Sequence, residues 1–207
     1  MNRRRKPTAL LIDFDGVLRR YRIEAQAALE KAAGLAEGDI FALAGAPATL
    51  LPALLGQRTR AELRTEVAAQ LAGRVGGPAA AEALVETWDA YRGEVVPEVR
   101  TTIAELRASG VPVALCTNAT DDIRSDLEIF ELTDAFDAVV ASCEIGAVKP
   151  MPEFYRAAAD AIGVPAHDCL FVDDVERNVA GARNVGMVGF RYSTTADLAY
   201  IRAALTV

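Results

Sequence analysis

From residue 98 onward, short apolar runs alternate with amphipathic stretches along the chain. A short apolar run bounded by polar or glycine residues is typical of a buried strand, and apolar residues three and four positions apart indicate a helix. Together with one run near the start of the chain, the pattern predicts strands at 8–14, 112–116, 138–141, 169–172 and 187–190. It predicts helices at 98–109, 121–130, 152–162, 176–185 and 195–205, and glycines follow three of them, at Gly110, Gly163 and Gly186. Strands that alternate with helices predict an α/β fold with a parallel sheet.

Residues 19–96 interrupt this alternation. They are rich in Ala and Leu, contain no convincing strand, and show helical spacing at Leu63, Val67 and Leu71. Prolines are expected to divide the interval into several helices, at Pro47, Pro52 and Pro78. The dipeptide Val96-Pro97 is the expected return point to the sheet. The predicted organisation is therefore a sheet domain of residues 1–18 and 97–207, with a small helical insertion of residues 19–96.

Composition and charge narrow the class of protein. The chain has 207 residues, of which 52% are hydrophobic, and a formal net charge of −7, which argues against nucleic acid or an anionic membrane as the main partner. Cys116, Cys143 and Cys169 lie far apart, so neither a disulfide framework nor a zinc site is indicated, and a cytoplasmic location is expected. No segment has the roughly 18 uncharged apolar residues that a membrane span needs. Oligomeric state is not readable from these features.

Polar residues that can carry chemistry follow four of the predicted strands. Asp13 and Asp15 come at the end of the first strand, where Gly16 permits a sharp turn. The carboxyl ends of parallel strands form the edge at which open α/β sheets bind ligands. Taken alone, the segment Asp-x-Asp-Gly is also typical of an ordinary turn.

The other three strand ends add an anion site and a cation site. Thr117 and Asn118 offer a hydroxyl and a carboxamide to an anionic oxygen, although this pair is equally typical of a helix cap. Lys149 lies in the loop after the third predicted strand, where a lysine is usually a solvated surface charge. Asp173 and Asp174 repel each other, and a bound cation would remove that cost. Oxygen ligands without His or Cys suit Mg²⁺ rather than zinc.

The order of these features resembles the haloacid dehalogenase superfamily of phosphohydrolases. The resemblance extends from about residue 10 to residue 190 and includes the segments 96–98, 114–118, 148–150 and 171–174, followed by Asn178, Ala182 and Gly186. It implies a Rossmann-like sheet in which the first and fourth strands of the core are neighbours. It also identifies residues 19–96 as the helical cap that this superfamily inserts between its first two motifs, and we call this segment the cap.

The resemblance also implies a role for each candidate residue. Asp13 is expected to attack phosphorus and form an aspartyl-phosphate, while Asp15 protonates the leaving oxygen and then deprotonates water. Thr117 and the backbone amide of Asn118 are expected to hold the phosphoryl group, and Lys149 to neutralise it and orient Asp13. Mg²⁺ is expected on an Asp13 oxygen, the Asp15 carbonyl and the 173–174 pair, with Asp174 as the first choice for direct ligand and Asp173 acting through water.

For several cap residues, a functional role has to be weighed against a more common structural one. Arg19, Arg20 and Arg22 are candidates for steering an anionic substrate, although solvated surface arginines are more common. Trp88 and Tyr91 could line the cleft, but aromatics three residues apart more often pack a helix interface. In the core, His167 has no catalytic partner in sequence, and Met151 stands where related sequences often carry Asp.

The predicted function is Mg²⁺-dependent hydrolysis of a small phosphorylated metabolite. A sugar phosphomutase or phosphotransferase would use the same site residues, so the sequence barely separates it from a hydrolase. A 2-haloacid dehalogenase is disfavoured by Asp15, because dehalogenase branches generally lack that second acid. A non-catalytic protein that only binds a phosphorylated ligand is disfavoured, because the chain keeps a residue for each polar role in catalysis.

Overall fold

The computed structural model describes residues 6–205, and the fold is built on a five-stranded parallel sheet. The strands are β1 (Ala9–Ile12), β2 (Arg19–Arg20), β3 (Glu94–Val95), β4 (Val113–Thr117), β5 (Ala138–Ala141), β6 (Cys169–Asp173) and β7 (Val188–Arg191). In the main sheet they lie in the order β5-β4-β1-β6-β7, so β1 and β6 are neighbours. The predicted α/β fold with a Rossmann-like sheet is thereby confirmed.

The helices fall into two groups along the chain. Those of the cap segment are α1 (Ile23–Ala32), α2 (Asp39–Ala44), α3 (Pro47–Leu54), α4 (Arg60–Leu71) and α5 (Pro78–Asp89). Those of the sheet domain are α6 (Pro97–Ala108), α7 (Ile123–Ile129), α8 (Ser142–Ile145), α9 (Pro152–Ile162), α10 (Glu176–Asn184) and α11 (Leu198–Leu205). None of the helices in the described part of the chain has the length and hydropathy needed to cross a bilayer.

Helices cover both faces of the sheet, which explains why its strands are apolar at consecutive positions. Successive side chains of a strand point to opposite faces. In β1, Leu10 and Ile12 belong to one buried cluster with residues of α6 and α11. Leu11 belongs to a second cluster, on the other face, with Phe154 of α9 and Ala182 of α10.

The predicted elements of the sheet domain agree with the structure, with ends that differ by at most a few residues. One helix was missed, because α8 is a short turn of helix that directly follows β5. Four residues are too few to show a helical period in the sequence.

The cap segment has a core of its own. Helices α4 and α5 contribute Leu63, Val67, Leu71 and Leu84 to a buried cluster that also includes Ile40 of α2. Two expectations for this segment were wrong in detail. It does contain strands, because β2 and β3 pair antiparallel where the chain leaves and re-enters the sheet domain. Of the three prolines, Pro52 lies inside α3, whereas the other two begin helices.

The entry and exit of the cap segment lie side by side. The backbone N–H of Val96 donates to the carbonyl of Leu18 at 2.8 Å, and α6 begins at Pro97. The missing N–H of a proline is harmless at the first position of a helix. The domain boundaries at 18/19 and 96/97 stay a prediction.

Candidate active site

The floor of the site is made by three neighbouring strands of the sheet. Asp13 follows β1, Thr117 ends β4 and Asp173 ends β6. Ile12 is in register with Leu115 on one side and Val172 on the other, and the N–H of Asp13 donates to the carbonyl of Val172 at 2.9 Å. The parallel register therefore brings these three side chains to one edge of the sheet, as the sequence predicted.

Lys149 is the buried cation of this floor rather than a surface lysine. Its Nζ lies 2.7 Å from Asp13 Oδ1, 2.7 Å from Asp173 Oδ2 and 3.0 Å from the carbonyl oxygen of Cys116. An ammonium group has three N–H donors, so each of them has a partner. Burial disfavours the charge, but the two carboxylates outweigh it and raise the pKa of Lys149.

Three carboxyl groups lie close to one another near this lysine. Asp13, Asp173 and Asp174 each offer an oxygen, and these atoms lie within 4.8 Å of one another. Burial raises the pKa of Asp13 well above its ordinary value, although Lys149 opposes the shift. Burial and the neighbouring Asp173 also raise the pKa of Asp174. Such a cluster of oxygen donors fits a hard divalent cation, which would relieve the repulsion among the carboxylates.

The two acids of the 173–174 pair differ in their surroundings. Asp173 is fully buried, and its carboxylate accepts from Lys149, from the N–H of Val175 at 2.9 Å and from Nδ2 of Asn178 at 3.0 and 3.1 Å. Asp174 is only half-buried and lines the cavity. This contrast supports Asp174 as the direct metal ligand and Asp173 as a group that acts behind it, and both roles stay predictions.

The side chains of Thr117 and Asn118 have different surroundings. Thr117 Oγ1 is buried and has no hydrogen-bond partner among the described residues, which leaves a hydroxyl for a ligand oxygen. The Asn118 carboxamide does not face a ligand, contrary to one expectation. Its Oδ1 accepts from the Lys149 N–H at 2.8 Å and its Nδ2 donates to the Lys149 carbonyl at 3.2 Å. The side chain therefore positions the lysine loop, while the Asn118 backbone amide remains the predicted phosphate contact.

Asp15 lies at the cavity wall in a two-point ion pair with Arg19. Nε of Arg19 is 2.6 Å from Oδ1, and Nη2 is 2.9 Å from Oδ2. Arg19 is buried rather than solvated, so the reading of it as a surface arginine was wrong. Burial disfavours its charge, but the hydrogen bonds with Asp15 outweigh this and raise the pKa of Arg19. Arg20 and Arg22 remain exposed.

Arg19 also begins a chain of ion pairs between the cap and the sheet domain. Its Nη1 lies 2.5 Å from Oδ2 of Asp126, which is itself buried on α7. Arg92 Nε lies 2.7 Å from Oδ1 of the same carboxylate, and Arg92 Nη2 lies 2.5 Å from Oδ2 of Asp122. Asp122, Asp126 and Arg92 were not predicted as site residues, because an ion pair between segments far apart in the chain has no local signature in the sequence.

A cavity of about 530 Å³ lies above the floor, between it and the cap segment. Asp13, Asp15, Thr117, Lys149 and Asp174 line its lower part. Trp88 and Tyr91 also line the cavity, as one of the two interpretations of these aromatic residues predicted. His167 is exposed beside Asp168 and does not line the cavity.

Comparison with known proteins identifies the family. A family model described as haloacid dehalogenase-like hydrolase matches residues 7–186. The chain belongs to the haloacid dehalogenase-like hydrolases. A phosphatase of Mycobacterium tuberculosis is 42% identical over 93 residues, which is 44% of this chain and 43% of that protein. The phosphoserine phosphatase of Thermus thermophilus is 34% identical over 116 residues, or 54% of this chain and 47% of that protein.

Solved structures agree on the fold of the family. A haloacid dehalogenase family enzyme of Bacteroides thetaiotaomicron, solved as a magnesium complex, superposes with a TM-score of 0.75 at 20% identity, over 95% of this chain and 98% of that one. The chain spans about half the length of the two curated phosphatases it matches. Membership of this hydrolase family, with phosphatase-like relatives, confirms the resemblance predicted from the motifs.

Gly16 lies where the candidate active site leaves no room for a side chain. Its φ is +83°, and a Cβ placed on it would lie 2.2 Å from Oδ2 of Asp174. We expect Gly16→Ala to displace Asp174 and lower kcat/KM by about 10²-fold or more, since small misplacements at a reacting centre have effects of that size. Gly110→Ala is the matched control, because Gly110 has a φ of +86° with open space around it. Equal activity losses in the two variants, measured with one phosphate ester, would attribute the effect to backbone strain alone.

Arg19 should stabilise the folded protein as well as hold Asp15 in the site. We expect Arg19→Met to lower the free energy of unfolding by about 3–5 kcal/mol, because it leaves the buried Asp126 with fewer cations. Arg22 supplies the control from the same segment, since its ion pair with Glu94 is exposed. Arg22→Met should change stability by at most about 1 kcal/mol. Urea unfolding of both variants measures the difference, and similar values for the two would contradict this role for Arg19.

Proposed function

We propose that this hydrolase cleaves phosphate monoesters of small molecules through an aspartyl-phosphate on Asp13 and that it requires Mg²⁺. The observation that supports this most strongly is the grouping of Asp13, Lys149, Asp173 and Asp174 at one sheet edge. A buried lysine held between two carboxylates, beside a third that faces a cavity, suits the binding of a dianionic phosphoryl group together with a divalent cation.

In the first half of the proposed reaction, an oxygen of Asp13 attacks phosphorus and the bond from phosphorus to the ester oxygen breaks. Asp15, which must first take up a proton and leave its ion pair with Arg19, gives that proton to the ester oxygen, so the alcohol leaves neutral. Thr117 and the Asn118 backbone amide hold the phosphoryl oxygens, and Lys149 neutralises the charge of the group and orients Asp13. Asp13, Asp174 and the Asp15 carbonyl would hold Mg²⁺, and the ion would supply positive charge against the phosphoryl group.

In the second half, the ionised Asp15 accepts a proton from water, whose oxygen attacks phosphorus. The bond between Asp13 and phosphorus breaks, which releases inorganic phosphate and restores the Asp13 carboxylate. Asp15 ends protonated, as it began. Arg19 holds the Asp15 carboxylate at the cavity wall and therefore acts as a positioning residue.

Metal removal tests this proposal directly. We expect the purified protein to hydrolyse p-nitrophenyl phosphate in the presence of Mg²⁺, to lose this activity in EDTA, and to regain it when excess Mg²⁺ is added. The physical reason is the repulsion among three clustered carboxylates and an incoming dianion, which only a cation relieves. Unchanged hydrolysis in EDTA would contradict the metal requirement.

A further inference from the structure

We infer that the preferred substrates are phosphate esters of uncharged, apolar alcohols, with an alkyl or aryl leaving group and no second anionic group. This inference rests on the proposed function, because it assigns the part of the cavity above the reacting phosphoryl group. It is carried by two independent features of the cavity wall, its apolar cap side and the pairing of all its cations.

Four helices contribute apolar side chains to the cap side of the cavity, beside the polar Gln26 and the ion-paired Arg60 and Asp89. Side chains from α2, α3, α4 and α5 line it, and Tyr21 and Tyr91 extend the aromatic part at the base of the cap segment, where their rings make an edge contact at 6.0 Å. The helix residues are Phe41, Leu50, Leu54, Leu63 and Trp88. Phe41 is 64% exposed although it is large and apolar. Apolar surface that lines a concave pocket is typical of contact with an apolar part of a ligand.

The cations of the cavity are already neutralised. Among the described residues that line it, the cations are Arg19, Arg60 and Lys149. Arg19 pairs with Asp15 and Asp126, and Lys149 with Asp13 and Asp173. Arg60 pairs with Asp89 and lies 3.2 Å from Asp122. None of the three is available for a carboxylate or a second phosphate of the substrate.

The acids of the cavity outnumber these cations. Six aspartates line it, namely Asp13, Asp15, Asp89, Asp122, Asp126 and Asp174. Three of them, at 89, 122 and 126, lie on the side of the arginine pairs rather than at the metal cluster. Arg64 and Arg92, which do not line the cavity, also pair with these three acids. A substrate that carries a carboxylate beyond its phosphate would therefore meet acids and arginines that already neutralise one another, and no free cation among the described residues that line the cavity. The lack of a free cation thus disfavours acidic substrates, while the apolar side chains of the wall favour substrates with a hydrocarbon group.

A matched series of esters tests the inference with the intact protein. We expect kcat/KM to rise by about 10²-fold or more from ethyl phosphate to hexyl phosphate, since each methylene in a hydrophobic pocket has a large effect. A terminal carboxylate on the hexyl chain is expected to lower kcat/KM at least about tenfold, although it leaves the leaving oxygen unchanged. Equal values for the plain and carboxylated esters, or a preference for glucose 6-phosphate, would overturn the inference.

A variant that places a positive charge in the cavity wall provides a second test of the inference. Phe41→Lys should shift the ratio of kcat/KM between the carboxylated and plain hexyl esters at least about tenfold towards the carboxylated one. Leu51→Lys is the control, because Leu51 is an exposed apolar residue of the same segment that does not line the cavity. Its ratio should stay at the parent value, and an equal shift in both variants would overturn the assignment of this wall.

The two proposals fail in different ways. Mg²⁺-dependent hydrolysis that favours acidic or sugar esters would overturn the substrate class and leave the proposed function intact. Absence of Mg²⁺-dependent hydrolysis for every ester in the series, in protein that is folded by circular dichroism, would overturn the proposed function and the substrate class with it.

Discussion

Asp13→Asn is expected to lower kcat for phosphate-ester hydrolysis by on the order of 10⁴-fold or more, the size of effect seen when a covalent nucleophile is removed. An amide nitrogen or oxygen does not form the anhydride with phosphate that a carboxylate forms. The substitution is nearly isosteric, and the Asn oxygen can still accept from the Phe14 N–H, which lies 2.7 Å from Asp13 Oδ1. Steady-state hydrolysis of p-nitrophenyl phosphate at saturating Mg²⁺ measures the loss.

The stability of the same variant separates lost chemistry from lost structure. Burial raises the pKa of Asp13 in the folded protein, so its contribution to stability falls as the pH rises through that raised value. Ionisation of this buried carboxyl therefore lowers the stability of the metal-free protein, and the uncharged Asn side chain avoids that loss. We expect Asp13→Asn to have a higher Tm than the parent in EDTA. Activity within tenfold of the parent would contradict the nucleophile role of Asp13, and a lower Tm would contradict the expected effect of its burial on stability.

Lys149→Met is expected to affect activity and stability together. It removes the cation between Asp13 and Asp173, so kcat/KM should fall by about 10²–10³-fold, the effect of losing one preorganised charge donor. Two buried carboxylates lose their partner, and the free energy of unfolding should fall by about 3–5 kcal/mol. Phosphatase assays with one phosphate ester measure the loss of activity, and urea unfolding at neutral pH measures the loss of stability.

A second lysine and a double variant serve as controls for this prediction. Lys31 is exposed on α1, so Lys31→Met should change stability by no more than about 0.5 kcal/mol. Adding Asp173→Asn to Lys149→Met removes one of the unpaired charges and should recover part of the stability without recovering activity. If Lys149→Met unfolded at the same urea concentration as the parent, the buried ion pairs would not have the importance that their geometry indicates.

The sheet and the floor of the site were predictable because both depend on local patterns. A buried parallel strand is a short apolar run, and the residue that follows it lies at the ligand-binding edge whatever the rest of the chain does. Asp13, Thr117 and Asp173 could therefore be assigned to the carboxyl edge of the sheet from the pattern alone, whereas the adjacency of the first and fourth strands was implied by the family resemblance. Lys149 depended on the family resemblance, since nothing near it in sequence indicates that its side chain is buried.

The contacts between the cap segment and the sheet domain were not predictable in the same way. Arg19 reads as a surface residue until Asp126, 107 positions later, is placed beside it. Strands β2 and β3 contain two residues each, which is too short for an alternating pattern. The Asn118 carboxamide binds the backbone of a loop 31 residues away. Each of these depends on tertiary structure that no local window contains.

The proposed covalent step can be tested by trapping the intermediate. The protein is mixed with a ³²P-labelled phosphate ester and Mg²⁺, quenched in acid within the first turnover, digested and mapped by mass spectrometry. The account predicts label on the peptide that contains Asp13, removed by hydroxylamine and absent from Asp13→Asn. Turnover of the ester with label on a different residue, or with no protein-bound label at any quench time, would contradict it.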